Sequence, residues 1–115
     1  MSPRTEALGE LEQSILLAIL QLTAADTVAY GVNIREEIET RTGRMVAVGA
    51  LYTAFDRLER KGYIRSTMSA PTPERGGRSR REVEVLPAGR SALERSRDFL
   101  ARMWAGLEPT PKGRP

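Results

Sequence analysis

The sequence predicts a mainly α fold carrying one small β-hairpin, and three observations predict it. Four stretches repeat their apolar residues at helical spacing, two short stretches alternate, and a turn-rich basic loop joins the alternating pair. At 115 residues, the chain suffices for one domain with a helical appendage.

Residues 1–7, MSPRTEA, read as a flexible end. Residues 8–22, LGELEQSILLAILQL, form the first helix. Leu8, Leu11, Ile15, Ile19 and Leu22 make its apolar stripe, and Leu16, Leu17 and Leu20 widen it beyond what one buried face needs. That width suits burial on two sides, against the domain and against a second copy, or full enclosure within one domain. Glu10 and Glu12 favour the N-terminal end, where acidic groups meet the positive pole of the helix. Residues 23–29 are a connector. The second helix, 30–43, spaces Tyr30, Ile34 and Ile38 four apart for the core. Glu37 and Arg41 add a supportive i, i+4 pair, and Gly43 a stop.

Residues 48–62, VGALYTAFDRLERKG, are the third helix. Leu51, Phe55 and Leu58 mark its buried stripe, while Tyr52, Thr53, Asp56, Arg57 and Arg60 fall on the other side. Gly62 follows two cations, Arg60 and Lys61, and ends the helix for a physical reason. Glycine enters the left-handed region without strain, and cations suit the negative pole. Gly49 and Ala50 leave the N-terminal end nearly bare, so it can enter a groove of nucleic acid. Packing on a core with one wet side is the plainer alternative. Two short amphipathic helices with a brief turn between them make a helix-turn-helix pattern.

Residues 63–68 alternate, with Ile64 and Met68 pointing one way and Arg65 and Thr67 the other. Residues 81–86 repeat the pattern, with Val83 and Val85 inward and Glu82 and Glu84 outward. Between them, residues 69–80 (SAPTPERGGRSR) hold two prolines, two adjacent glycines and three arginines. Strand, basic loop, strand is a hairpin wing, and arginines beside small glycines can approach a phosphate backbone closely. A solvated loop is the alternative. Residues 87–107, PAGRSALERSRDFLARMWAGL, form the last helix, opened by Pro87. Leu93, Leu100 and Leu107 recur every seven residues, Ser96 and Met103 lie in the offset seam, and Phe99 and Trp104 flank it. A lone helix of this length is marginal in water, so the stripe needs a partner, either a second copy or the domain itself. Residues 108–115, EPTPKGRP, read as a disordered tail.

Composition narrows the function. The chain has neither His nor Cys, which removes the commonest general base, thiolate metal sites, disulfides and every Ser-His or Cys-His nucleophile pair. Its acidic residues mostly sit beside basic ones on helical surfaces. No catalytic residue, cofactor or metal is expected. No apolar run approaches the 18 or so residues that span a bilayer, and no leader opens the chain, so a cytoplasmic protein without a membrane partner is expected. Net charge is only +3, but it is unevenly spread. Residues 1–47 hold 4 basic and 7 acidic groups, 48–81 hold 8 and 3, and 82–115 hold 6 and 5. The positive field therefore centres on the third helix and the wing, where it attracts polyanions.

Helix, helix, turn, helix, hairpin, long helix is the order of a winged helix-turn-helix over residues 8–87 with a dimerisation helix over 88–107. The phrases LGELEQSILLAIL, YGVNIREEIETRTG, VGALYTAFDRLERKGYI, PERGGRSRR and LPAGR resemble the PadR-type transcriptional regulators of bacteria. The resemblance covers roughly residues 8–105 and favours the compact branch, which lacks a large added effector domain. It implies a homodimer that binds operator DNA and usually represses transcription. By position it assigns Gly49, Ala50, Tyr52 and Thr53 to the DNA face of the third helix, and Tyr52 matches the tyrosine of the family's Leu-Tyr pair. Lys61 follows the family's basic pattern, and Arg75, Gly76, Gly77, Arg78, Arg80 and Arg81 would form the wing. It also implies a small aromatic or cationic effector near the dimer interface, for which Trp104 is the candidate, against a purely structural Trp in the seam. Three positions depart from the pattern. Ala47 and Leu86 replace capping residues, and Glu82–Val83–Glu84 replaces a tyrosine-rich strand.

On this reading Arg65, Lys61 and the wing hold phosphates, while Thr53 and Arg57 read base edges in the major groove, with pairing to Asp56 or Glu59 the alternative for Arg57. Dimer contacts are expected from Leu16, Leu20, Leu93, Leu100, Met103, Trp104 and Leu107. Two recognition helices about 34 Å apart would read an inverted repeat in double-stranded DNA. The competing class is a winged-helix module that binds another protein and no DNA.

Overall fold

Every stretch read as helical folds as a helix in the computed structural model of the protein, which describes residues 8–107. They are α1 (Glu10–Ala24), α2 (Gly31–Thr42), α3 (Val48–Arg60) and α4 (Pro87–Trp104). Three strands, β1 (Ala29–Tyr30), β2 (Ile64–Met68) and β3 (Arg81–Val85), form one antiparallel sheet in the order β1-β3-β2. The flexible end at 1–7 and the disordered tail at 108–115 lie outside the described residues.

The hairpin keeps the register that its alternation predicts. Ile64 lies opposite Val85, Ser66 opposite Val83 and Met68 opposite Arg81. Ile64 and Val83 are buried, whereas Arg65, Thr67 and Glu84 are exposed. Met68 corrects the pattern, because it sits past the end of the core and is exposed.

β1 was not anticipated from the sequence. Tyr30, expected inside the second helix, is extended (φ −151°) and pairs with Glu82, while Ala29 pairs with Val83. A two-residue strand is too short to show alternation, and its pairing comes from β3, more than fifty residues away. α2 begins one residue later at Gly31, where the Asn33 side chain accepts the Tyr30 N–H at 2.9 Å.

The core is built from Ile15, Leu16 and Ile19 of α1, Ile34 of α2, Leu51, Phe55 and Leu58 of α3, and Ile64 of β2, all fully buried. Burying each such side chain is worth roughly 1.5–3 kcal/mol. Enclosure of Leu16 corrects one expectation. Its side chain is held entirely by its own domain and cannot reach a second copy. Leu93 is likewise nearly enclosed. The breadth of the α1 stripe therefore divides between Leu16, turned inward, and Leu17, turned out.

Helix ends behave as their residues dictate. Ala47 and Leu86 precede α3 and α4 without any side-chain cap bond. Gly43 (φ 75°) and Gly62 (φ 76°) carry the chain out of α2 and past α3 in the left-handed region. α4 stops at Trp104, short of Leu107, where Ala105 turns extended. Among the described residues, no helix is long and apolar enough to cross a membrane.

Candidate nucleic-acid interface

α3 buries Leu51, Ala54, Phe55 and Leu58 and leaves Val48, Gly49, Ala50, Tyr52 and Thr53 at the surface. Its pitch is fixed from both ends. At the start, Arg35 of α2 donates its Nε–H to the Val46 carbonyl at 2.8 Å, holding the turn between the helices. Tyr52 stands edge-on to Phe55, with centroids 5.4 Å apart at 80°. Its hydroxyl rests on the first turn of α2, where a Cβ on Gly31 would come within 2.6 Å of Oη. The four residues expected at the front of this helix therefore share one exposed surface.

The wing loop has its own internal structure. A short 3-10 turn, Pro73–Arg75, is followed by Gly76 (φ 64°) and Gly77 (φ 76°), a left-handed pair that reverses the chain with little steric cost. The Ser69 N–H donates to the Arg80 carbonyl at 2.9 Å, and the Arg80 N–H to Ser69 Oγ at 3.0 Å, extending the hairpin one pair beyond the strands. Arg75 turns back into this loop and donates to Ser69 Oγ and to the carbonyls of Ala70 and Arg78. It shapes the wing instead of projecting from it.

The cations expected at DNA separate into distinct groups. Arg78 is exposed and, among the described residues, has no carboxylate partner; its Nε–H donates to the Arg75 carbonyl at 3.4 Å. Arg65 is ion-paired with Glu84 across the strands, and Arg80 pairs with Glu82 at 3.1 Å while stacking 3.9 Å from the Tyr30 ring centroid. Glu84 and Glu82 thus offset the charge of two arginines on the wing.

Arg81 departs further from its expected role. Its guanidinium donates to Asp56 at 3.1 Å, Glu59 at 3.0 Å and Ser66 Oγ at 2.9 Å, and lies 5.4 Å from the Phe55 ring centroid. This planar fork joins α3 to both wing strands, which is a stapling geometry and not a reaching one. Hydrogen bonds from the Ser66 hydroxyl and then from Arg81 hold the Glu59 carboxyl below the usual glutamate range.

Lys61 and Arg57 turn toward α1. Glu12, the buried charge among the described residues, accepts the Lys61 ammonium at 3.1 Å and lies 3.9 Å from Arg57. Its other oxygen accepts the Gly9 N–H at 3.2 Å.

An open groove of about 710 Å³ runs between the wing and α3, lined by Tyr30, Val32, Tyr52, Met68, Arg78 and Arg80. Val32 and Met68 were missed from the sequence, because an exposed apolar residue at the end of a strand or helix reads as core. Tyr30 was missed for a related reason. Its four-residue spacing from Ile34 imitates a buried stripe, yet its ring serves as a platform for Arg80. Of the residues assigned to a dimer, Leu100, Met103, Trp104 and Leu107 are exposed, as are Phe99 and Leu17, and Leu20 is half-buried. Among the described residues, no group of three or more metal-capable side chains is assembled.

Residues 16–95 match the model of the family described as the transcriptional regulator PadR-like family. No curated protein matches the chain. Solved structures share its fold. A transcriptional regulator from Clostridium thermocellum superposes with a TM-score of 0.63 at 24% identity, covering 80% of this chain and 82% of its own. A PadR family transcription regulator from hypervirulent Clostridium difficile gives 0.64 at 21% identity, covering 84% and 95%. PadR of Bacillus subtilis, solved in complex with operator DNA, gives 0.60 at 15% identity, covering 91% and 53%.

Proposed function

This chain belongs to the PadR-like family of transcriptional regulators, and from that premise we propose that it is a homodimeric repressor of the cytoplasm that binds an inverted-repeat operator. The observation that carries the reading is the exposed front of α3 standing beside an arginine-bearing wing. Gly49 and Ala50 let the helix approach the groove floor, and Thr53 reaches base edges one turn further along. The Tyr52 hydroxyl donates to a phosphate. Arg78 holds the backbone from the wing, with Gly76 and Gly77 allowing close approach. Arg65 and Arg80 add a weaker pull, because each already faces a carboxylate.

Dimerisation follows from the apolar residues that α4 leaves uncovered, Leu100, Met103 and Trp104, with Leu107 just beyond its end. A small aromatic or cationic effector bound beside Trp104 would act on the same seam and so on the spacing of the two α3 helices.

The test is fluorescence anisotropy of the purified protein against DNA from upstream of its own coding region, beside a scrambled duplex, at two salt concentrations. Tight binding that survives higher salt only on the native duplex is expected. Weak binding to both duplexes, abolished by salt and repeated with duplexes selected from a random pool, would favour a winged-helix module that binds protein.

A further inference from the structure

Lys61 and Arg57 look like DNA contacts in the sequence, and the structure points them at Glu12 instead. Glu12 sits in the first turn of α1 with only 5% of its surface exposed. A carboxylate so enclosed is costly to bury unless its oxygens are met, and here both are, by the Gly9 N–H at 3.2 Å and the Lys61 ammonium at 3.1 Å. Lys61 is the residue that ends α3, where a cation meets the negative pole of the helix. Arg57 stands one turn earlier, at a looser 3.9 Å. A phosphate that captured Lys61 would leave Glu12 buried with its nearest cation gone.

The geometry points to Glu12 as a positioning residue for the recognition helix. It grips the C-terminal end of α3 through Lys61, with Arg57 in support, and sets the angle at which the front of α3 meets DNA. Arg35 secures the other end through Val46, so α3 is held at two points by two different helices. Lys61 on this view contacts no phosphate. The inference rests on the DNA-binding reading above.

The experiment compares wild type, Glu12→Gln, Lys61→Met, Lys61→Arg and the Glu12→Gln/Lys61→Met double variant. Each is titrated by anisotropy across a salt series on a duplex selected from a random pool and on its scrambled counterpart. Glu12→Gln and Lys61→Met should each lower the preference for the selected duplex about tenfold, and the double variant should be no worse than either alone. Lys61→Arg should restore the preference. The salt slope of Lys61→Met should stay at the wild-type value, because no phosphate partner has been lost. Partial unfolding would lower binding to both duplexes equally and leave the preference unmoved. A slope smaller by about one, with equal losses on both duplexes, would make Lys61 a phosphate contact and overturn the inference. So would an unchanged preference in both single variants. Should wild type itself prefer no duplex, the DNA reading fails separately, and urea denaturation judges the grip. Non-additive midpoint shifts for Glu12 and Lys61 would uphold it, and additive ones would refute it.

Discussion

Gly89 of α4 lies so close to Tyr63 that a Cβ built on it would stand 2.4 Å from the Tyr63 carbonyl oxygen. The same carbonyl accepts the Leu86 N–H at 2.9 Å. Backbone therefore meets backbone at the point where the last helix joins the domain, and neither side can retreat without losing that hydrogen bond.

Helix propensity and packing give opposite signs for Gly89→Ala. Propensity alone favours Ala by roughly 1 kcal/mol. The overlap costs more, since crowding a packed site typically takes about 1–3 kcal/mol and a main-chain neighbour is the least yielding kind. Urea denaturation should show net destabilisation of up to about 2 kcal/mol. A midpoint at or above wild type would mean that α4 is free to shift.

Arg81→Ala should loosen the joint between α3 and the wing. Its carboxylate partners are about half-exposed, so each ion pair contributes little, and the fork, the Ser66 bond and the Phe55 contact together amount to about 1–2 kcal/mol. Glu59 makes this loss depend on pH. Its folded pKa lies below the unfolded one, so its contribution is complete above the usual glutamate value of about 4.3 and fades as pH falls through the lower folded value. The deficit of Arg81→Ala, measured by denaturation from pH 7 downward, should shrink below pH 4.3 or so. A deficit independent of pH would show that the ion pairs contribute nothing.

Arg78→Ala should weaken binding to every duplex about equally and lower the log–log salt slope by about one. Arg65→Ala should lower it by less, because Glu84 already offsets that charge. Glu84→Gln should act in reverse, raising affinity for scrambled DNA. If Arg78→Ala instead changed which sequence is preferred, the wing would be reading bases.

Leu100→Glu tests the exposed seam of α4. Sedimentation velocity should give a dimer for wild type and a monomer for the variant, with the helical circular dichroism signal retained apart from the last turns. A variant that still sediments as a dimer would move the interface off this helix.

Most of the fold could be read from the chain because its helices bury stripes of Leu, Ile and Phe at regular spacing and its hairpin alternates. The bare front of α3 and the glycine-arginine wing were readable for the same local reason. What escaped depends on distant partners. Tyr30 is a strand residue only because Glu82 pairs with it, and Leu16 is core only because the rest of the domain closes over it. The arginines show the limit most clearly. Arg65, Arg75, Arg78, Arg80 and Arg81 look alike in sequence, yet one faces Glu84, one ties its loop, one remains exposed, one stacks on Tyr30 and one staples α3. Charge was visible in the sequence, and its assignment was not.

Arg75, bound to Ser69 and to the carbonyls of Ala70 and Arg78, bears on how the wing meets a ligand. A glycine-rich loop left to itself would sample many shapes and lose that entropy on contact. This one is preorganised, so little ordering remains to be done when the wing docks. Wing variants that change charge should then act mainly on the rate at which the complex forms, and variants that keep the charge mainly on its lifetime.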